Sequence, residues 1–161
     1  MCKTMENTYR DVNIALANEL AKICEKVGIN VWEVINLCNK HPRVNLHQPG
    51  PGVGGHCLAV DPWFIVEKTP DLAKIIALSR ETNDSMPKYV LKKIDEILKD
   101  IDGTKKVTIL GITYKANIDD IRESPIIKLI NLMDERKEYE ISVFDPYMKA
   151  HKYQAKDIVT A

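Results

Sequence analysis

Two short apolar runs, Lys106-Val-Thr-Ile-Leu-Gly111 and Glu140-Ile-Ser-Val-Phe144, decide the fold of the second half of this 161-residue chain. Each run predicts a short strand, the first of them buried, and Ser124-Pro125 between them predicts the N-cap and first turn of a helix. Strand, helix and strand within about 40 residues indicate a βαβ unit with parallel strands. One such unit is too small for a complete sheet. We therefore expect a partial α/β, Rossmann-like domain with a parallel sheet.

The first half of the chain has the periodicity of helices. From Thr4 to Val27 apolar residues recur at three- and four-residue steps, and Gly28 predicts the end of this helix. Two apolar faces on one helix indicate that it is covered on more than one side, in a bundle or at a subunit interface. One face runs through Val12, Leu16, Ile23 and Val27, and the other through Ile14, Ala17, Leu20 and Cys24.

Further helices are predicted after the first. Asn30 is a plausible N-cap for a second helix, and Asp61-Pro62 is the predicted N-cap and N1 of a third. A fourth runs from about Asp71, with a break or kink near Pro87, to Lys99. The predicted division is a helical domain over residues 1–82, then a linker helix and the α/β domain over residues 83–161.

Composition and charge exclude several functions. Lys plus Arg and Asp plus Glu are both 23, so no basic excess points to nucleic acid. No apolar run approaches the roughly 18 residues of a membrane span, and the first residues lack the apolar core of a signal peptide. We expect a cytoplasmic protein. The cysteine and histidine spacings match no common zinc pattern, so no metal is predicted.

The stretch Gly50-Pro-Gly-Val-Gly-Gly-His-Cys57 is the predicted functional loop. Four glycines allow close backbone approach and φ > 0, and the loop ends in a thiol. Cys57 is either a nucleophile near the start of the third helix or a structural cysteine in a turn. Asp61 either handles water or caps its helix. Lys115 follows the first strand, where α/β sheets bind ligands, whereas the stretch from Asp119 to Arg122 also fits a solvated loop with local ion pairs.

Three segments resemble the UDP-glucose/GDP-mannose dehydrogenases: residues 3–19, residues 49–64 around Gly54-Gly-His-Cys57, and residues 110–125 around Leu110-Gly-Ile-Thr-Tyr-Lys115. His before the cysteine and Val60-Asp-Pro-Trp-Phe64 after it are most similar to the branch that oxidises UDP-N-acetylmannosamine. The resemblance implies that NAD accepts electrons twice as the C6 hydroxyl of a UDP-sugar becomes a carboxylate.

The resemblance also implies roles for individual residues. Cys57 would attack the C6 aldehyde and form a thiohemiacetal and then a thioester, which water cleaves. Lys3 and Asn7 would stabilise the oxyanion, and Asp61 would assist proton transfer or orient water. Substrate contacts are implied for Arg43, Gln48, Gly50, Gly52, Gly54, Tyr114 and Lys115, and cofactor contacts for Arg122 and Cys57.

The family begins with an NAD-binding domain in which G-x-G-x-x-G lies between a strand and a helix, and in these 161 residues that spacing occurs only at Gly50 to Gly55, in the cysteine loop and after no predicted strand. We therefore expect a fragment that is inactive in isolation, with the first long helix forming a homodimer. The alternative hypothesis is a non-catalytic oligomerisation or sugar-nucleotide-binding module derived from the same family.

Overall fold

The computed structural model describes residues 1–148 and 151–157. Five helices and two strands follow one another along the chain: α1 Cys2–Val27, α2 Val31–Cys38, α3 Asp61–Lys68, α4 Lys74–Ile97, β1 Lys105–Leu110, α5 Pro125–Arg136 and β2 Tyr139–Phe144. The chain divides into two compact units, Met1–Met86 and Pro87–Ala161.

The ends of α1 and α2 follow from local sequence. Gly28 adopts a left-handed conformation with φ 73° and donates its N–H to the carbonyls of Cys24 and Glu25, which confirms it as the C-terminal stop. The side chain of Asn30 accepts the N–H of Trp32 at the start of α2, which confirms the predicted cap.

The buried face of α1 combines polar and apolar residues, and of the two predicted apolar faces the second, which includes Ala17 and Cys24, is the one that the single chain buries. The buried residues of α1 are Asn7, Thr8, Asp11, Ala15, Ala17, Asn18 and Cys24. Leu16, Ile23 and Val27 of the first predicted face are 46%, 48% and 59% exposed on the single chain. The core of the first unit is therefore held by hydrogen bonds and ion pairs as well as by apolar contacts.

Helix α4 begins at Lys74 and continues past Pro87, so of the predicted break or kink the break does not occur. A proline inside a helix removes one backbone hydrogen bond. That loss is tolerated here because buried side chains anchor the helix before and after it, at Met86 and Leu91.

The second unit contains the predicted strand, helix and strand. Strands β1 and β2 pair in parallel, from Lys105 opposite Tyr139 to Leu110 opposite Phe144, which confirms the parallel sheet. In the described residues this sheet has two strands. Its core contains Leu91, Ile109, Ile112, Leu129, Ile130, Met133, Ile141 and Val143.

Strand β1 is not the buried strand that its sequence predicts. Ile109 is buried, but Leu110 is 65% exposed. Helix α5 packs on β2 and starts where Ser124 accepts the N–H of Ile126 at 3.2 Å, as predicted. An isolated parallel bridge joins Val143 to Gln154.

Candidate active site

Cys57 lies immediately ahead of α3 with its side chain exposed. Its carbonyl accepts the backbone N–H of Val60 at 3.1 Å and that of Asp61 at 2.8 Å. The turn from Cys57 to Asp61 therefore fixes where the thiol stands relative to the first residue of α3. Cys24, by contrast, is buried.

Asp61 is not the N-cap that its sequence predicts. The cap position is Val60, without a side-chain hydrogen bond, and Asp61 is already helical. Its Oδ2 instead accepts Nδ2 of Asn7 at 2.6 Å, and Asn7 is 2% exposed. Because Asn7 belongs to α1, this contact joins two candidate catalytic residues that are 54 positions apart.

Lys3 lies one helical turn before Asn7 on α1. Its Nζ is 3.4 Å from Oε2 of Glu6, and its side chain is 77% exposed. A surface pair of this kind contributes about 0–1 kcal/mol. The ammonium is therefore easily released from Glu6 toward an anionic group.

The other predicted contacts in the first unit lie along residues 43–54. The side chains of Arg43 and Gln48 are exposed, and Gly54 is half-buried. Gly52 and Gly55 have φ of 129° and 84°, conformations that disfavour any side chain. Gly50 has no such φ, and a Cβ added there would meet no atom within 4 Å. Its N–H donates to Oδ1 of Asn18 at 2.8 Å.

Behind this loop lies a buried polar network that the sequence did not reveal. Asn18 donates Nδ2 to Oδ1 of Asn83 at 2.9 Å. Asn83 in turn donates to Oδ1 of Asp11 at 2.9 Å, and Arg80 donates Nη1 to the same oxygen at 2.5 Å. The only sequence signal was the spacing of polar residues 7, 11 and 18, which share one face of a helix.

Asp11 and Arg80 are 0% and 1% exposed. Burial raises the pKa of the Asp11 carboxyl, and the Arg80 guanidinium opposes that shift. Arg80 also pairs through Nη2 with Asp84 at 2.6 Å. The ion pair thus crosses from α1 to the first half of α4, inside the first unit.

In the second unit, Tyr114, Lys115 and Arg122 lie on the loop after β1. Tyr114 donates its backbone N–H to the carbonyl of Asp120 at 3.1 Å, and Lys115 is exposed. Arg122 donates Nε and Nη2 to the Asp120 carboxylate at 3.0 and 2.7 Å. The local ion pair expected as the alternative reading of this loop is therefore present.

Two buried side chains hold the start of that loop at Ile112. Asp145 Oδ2 accepts the Ile112 N–H at 2.9 Å, and Ser124 Oγ donates to the Ile112 carbonyl at 2.7 Å. Burial by itself would raise the pKa of Asp145, but hydrogen bonds from backbone N–H groups, that of Ile112 first, outweigh it and hold the pKa below the usual range. The carboxylate is thus a fixed acceptor at the carboxyl ends of both strands.

Within residues 1–148 and 151–157, no three His, Cys, Asp or Glu side chains converge as a metal site. The same part of the chain contains no helix with the length and apolar character needed to cross a bilayer.

Comparison with known proteins identifies the family. The profile of the UDP-glucose/GDP-mannose dehydrogenase family, central domain, matches residues 1–85. The profile of the UDP binding domain of the same family matches residues 108–161. The chain belongs to the UDP-glucose/GDP-mannose dehydrogenase family. The resemblance found in the sequence is confirmed.

Relatives within the UDP-glucose/GDP-mannose dehydrogenase family carry more specific names. The UDP-N-acetyl-D-mannosamine dehydrogenase of Methanocaldococcus jannaschii is 59% identical over 154 residues, which are 95% of this chain and 35% of the relative. The NDP-N-acetyl-D-galactosaminuronic acid dehydrogenase of Ralstonia solanacearum is 50% identical over 149 residues, which are 92% of this chain and 35% of the relative.

Solved structures of the family agree with the fold. A structure of the UDP-N-acetyl-mannosamine dehydrogenase from S. aureus superposes with a TM-score of 0.88 at 54% identity, and the match covers 98% of this chain and 37% of that one. The chain thus spans about a third of the length of the relatives that it matches.

Proposed function

We propose that this chain contributes the catalytic cysteine loop and part of the nucleotide-binding domain to an NAD-dependent dehydrogenase. The enzyme would oxidise the C6 hydroxyl of a UDP-N-acetylhexosamine, UDP-N-acetylmannosamine first, to the uronic acid. The names of the relatives support the substrate class. Residues 1–82 would form the dimerisation domain, and residues 83–161 the linker helix and the UDP-binding domain.

The observation that carries this proposal is the hydrogen bond between Asn7 and Asp61 beside Cys57. An exposed thiol stands one turn before a carboxylate that is held by a buried amide. A nucleophile next to an oriented acid–base group is the arrangement that covalent acyl chemistry requires. A purely structural cysteine needs no such neighbour.

Among the described residues, the fit to NAD is limited to one contact at the periphery of the dinucleotide. Arg122 presents an exposed guanidinium held by Asp120, which suits one anionic or ribose contact. The one G-x-G-x-x-G spacing, Gly50 to Gly55, lies in the loop between α2 and α3 and not between a strand and a helix, so it is not the cradle for the pyrophosphate. The dinucleotide, when bound, would supply two successive two-electron oxidations at C6.

Cys57 and its neighbours would carry the remaining steps. The Cys57 thiolate adds to the aldehyde carbon and forms a C–S bond, while the carbonyl electrons move to oxygen. Lys3 and Asn7 donate hydrogen bonds to that oxyanion. After the second oxidation the carbon is a thioester, and Asp61 takes a proton from water as the water attacks. Cleavage of the C–S bond returns the Cys57 thiolate and gives the carboxylic acid, which loses its proton to solvent and leaves as the carboxylate.

Other parts of the chain would bind the nucleotide sugar. The backbone of Gln48 to Gly54 would line the sugar pocket, and Tyr114 and Lys115 would contact the substrate from the second unit. The exposed apolar side chains of α1, Leu16, Ile23 and Val27, would form the homodimer contact, and Arg43 would reach the partner's substrate. We propose a cytoplasmic location, as for a nucleotide-sugar enzyme.

The test is Cys57→Ser in a full-length enzyme that carries these residues. Formation of the uronic acid should be abolished, whereas Cys38→Ser, the matched control at a half-buried thiol of α2, should retain it. Full acid formation by Cys57→Ser would refute the nucleophile. The 161-residue chain alone, incubated with NAD and UDP-N-acetylmannosamine, should form no NADH at 340 nm.

A further inference from the structure

We propose that Asn18 and Asn83 are positioning residues that hold the Gly50 end of the Cys57 loop through a one-way relay of hydrogen bonds. The inference rests on the proposed function, because it concerns the same loop. The relay runs from Asp11 on α1 to Asn83 on α4, back to Asn18 on α1, and then to the N–H of Gly50.

The direction of hydrogen-bond donation along the relay is fixed where Asn83 meets Asp11. Asn83 Nδ2 lies 3.0 Å from the backbone carbonyl of Asp11 and 2.9 Å from its carboxylate. The backbone carbonyl only accepts hydrogen bonds, and so does the carboxylate while it is ionised. The amide of Asn83 must therefore face them with nitrogen and face Asn18 with oxygen.

The orientation of the Asn83 amide determines the orientation of the Asn18 amide. Because Oδ1 of Asn83 is an acceptor, Asn18 must present Nδ2 to it, at 2.9 Å. The remaining atom, Oδ1 of Asn18, then faces the loop and accepts the N–H of Gly50 at 2.8 Å. A rotated Asn18 amide would place two donors together at Gly50.

Burial makes this orientation costly to lose. Asn18 is 0% exposed, Asn83 is 1% exposed, and Asp11 is 0% exposed, so water does not compete for these groups. Unsatisfied buried amides are strongly disfavoured. The relay thus holds the loop backbone at Gly50.

Helix α1 thereby holds the loop region at two places. Asn7 binds Asp61, just beyond Cys57, and Asn18 binds Gly50, where the glycine stretch begins. Asn7 and Asn18 are eleven residues apart, which is about three helical turns plus about 20° of rotation. Both asparagines therefore lie on one face of α1. Between the two attachments only Val53, Gly55 and Ala59 are buried.

The experiment measures the loop directly in the 161-residue chain. Hydrogen exchange by NMR gives the protection of the Gly50 amide, and mass spectrometry gives the rate at which iodoacetamide alkylates Cys57, with exposed Cys2 as internal reference. Asn18→Ala and Asn83→Ala are compared with Asn13→Ala. Asn13 is on the same helix but donates to its own helix, at the Tyr9 carbonyl.

Asn18→Ala should speed Gly50 exchange by about tenfold and change the Cys57 rate, relative to Cys2, by about threefold or more. The Asn83 side chain is hydrogen-bonded to Asn18 and Asp11 and not to the loop. Asn83→Ala should nevertheless speed Gly50 exchange by about threefold, because Asn18 is then free to rotate. Asn13→Ala should change neither. All measurements are made well below the melting temperature of each variant, where a merely stabilising residue would leave the Cys57 rate unchanged.

An unchanged Gly50 protection in folded Asn83→Ala would overturn the relay. If Asn18→Ala does not fold, Asn83→Ala alone decides the question. None of these readouts uses dehydrogenase activity. A failure of the proposed reaction would therefore appear in Cys57→Ser and leave the relay results unaffected.

Discussion

The side-chain amide of Asn7 donates to the carboxylate of Asp61 over 2.6 Å, and this bond joins the N-terminal end of the α1 buried face to the first turn of α3. Its geometry leaves Asp61 uninvolved in helix capping. The Asp61 carboxylate does not cap α3, and it can therefore act on a proton or a water molecule. The bond therefore supports the role proposed for Asp61 with water at the proposed Cys57 thioester.

The first prediction concerns this bond. In a full-length enzyme, Asn7→Ala should reduce turnover roughly 10- to 150-fold, because a hydrogen bond to a charged group contributes about 1.5–3 kcal/mol. The measurement is kcat for NADH formation, with mass spectrometry of the Cys57 thioester. If Asn7 acts through Asp61 in hydrolysis, the thioester should accumulate. Turnover at the wild-type rate would contradict this role, and Asn13→Ala is the matched control.

The second prediction concerns the buried pair of Asp11 and Arg80. Arg80→Met leaves the Asp11 carboxylate buried without its cation, so the free energy of unfolding should fall by roughly 3–5 kcal/mol. The double variant Asp11→Asn/Arg80→Met removes both charges and should be more stable than the single variant. Urea unfolding at pH 7.5 measures both. A double variant that is no more stable than Arg80→Met would refute the unpaired-charge explanation.

The pH dependence of the same variants provides a separate check. The pKa of Asp11 is raised in the folded chain, first by burial, so the folded state takes up a proton before the unfolded state does. Stability from this group therefore rises as the pH falls through the folded pKa toward 3.8. Without Arg80 the rise should start at a higher pH. The difference in free energy of unfolding between Arg80→Met and the double variant should thus be smaller at pH 5 than at pH 7.5.

Helix ends and strand pairing were predictable because they depend on neighbouring residues. Gly28, Asn30 and Ser124 each stop or start a helix by a contact within a few positions. The parallel pairing of β1 and β2 follows from the intervening helix α5. These features needed no knowledge of the rest of the chain.

The polar interior of the first unit was not predictable in the same way. Periodicity assigns apolar residues to the core, but on α1 Asn7, Asp11 and Asn18 are buried while Leu16 is exposed. Their partners, Asp61, Asn83 and Arg80, lie 54 to 72 positions away. The cap assigned to Asp61 was wrong for the same reason, since a distant amide competes for its carboxylate.

The third prediction concerns Tyr139 in the second unit. Burial and then the hydrogen bond to Asp95, which also pairs with Arg136, raise the pKa of Tyr139 to about 12. An unfolded tyrosine ionises near 10, so stability is fully present below that pH and declines as the pH rises through about 12. The loss is at most about 2.7 kcal/mol. Unfolding at pH 9 and 11 captures about half of this loss, because pH 11 lies midway between the unfolded and folded pKa values of Tyr139.

Tyr139→Phe should remove this part of the alkaline destabilisation. Tyr147→Phe is the matched control, because Tyr147 is 47% exposed and donates to Asn117 rather than to a carboxylate. It should keep the alkaline loss of the wild type. An equal fall in the free energy of unfolding between pH 9 and pH 11 for the wild type and Tyr139→Phe would contradict the prediction.

The last prediction compares two glycines of the Cys57 loop that the sequence alone does not distinguish. Gly55 has φ 84° and is buried, so Gly55→Ala should lower the free energy of unfolding by about 1–2 kcal/mol, the penalty of a left-handed conformation for an L-residue. Gly50 has space for a Cβ, and alanine keeps the N–H that Asn18 accepts, so Gly50→Ala should be within about 0.5 kcal/mol of the wild type. Urea unfolding of the two variants decides the matter. If Gly50 nevertheless lines the sugar pocket of the full-length enzyme, Gly50→Ala should raise KM for the UDP-sugar while stability stays unchanged. Equal destabilisation by both substitutions would show that loop crowding, rather than backbone conformation, governs this stretch.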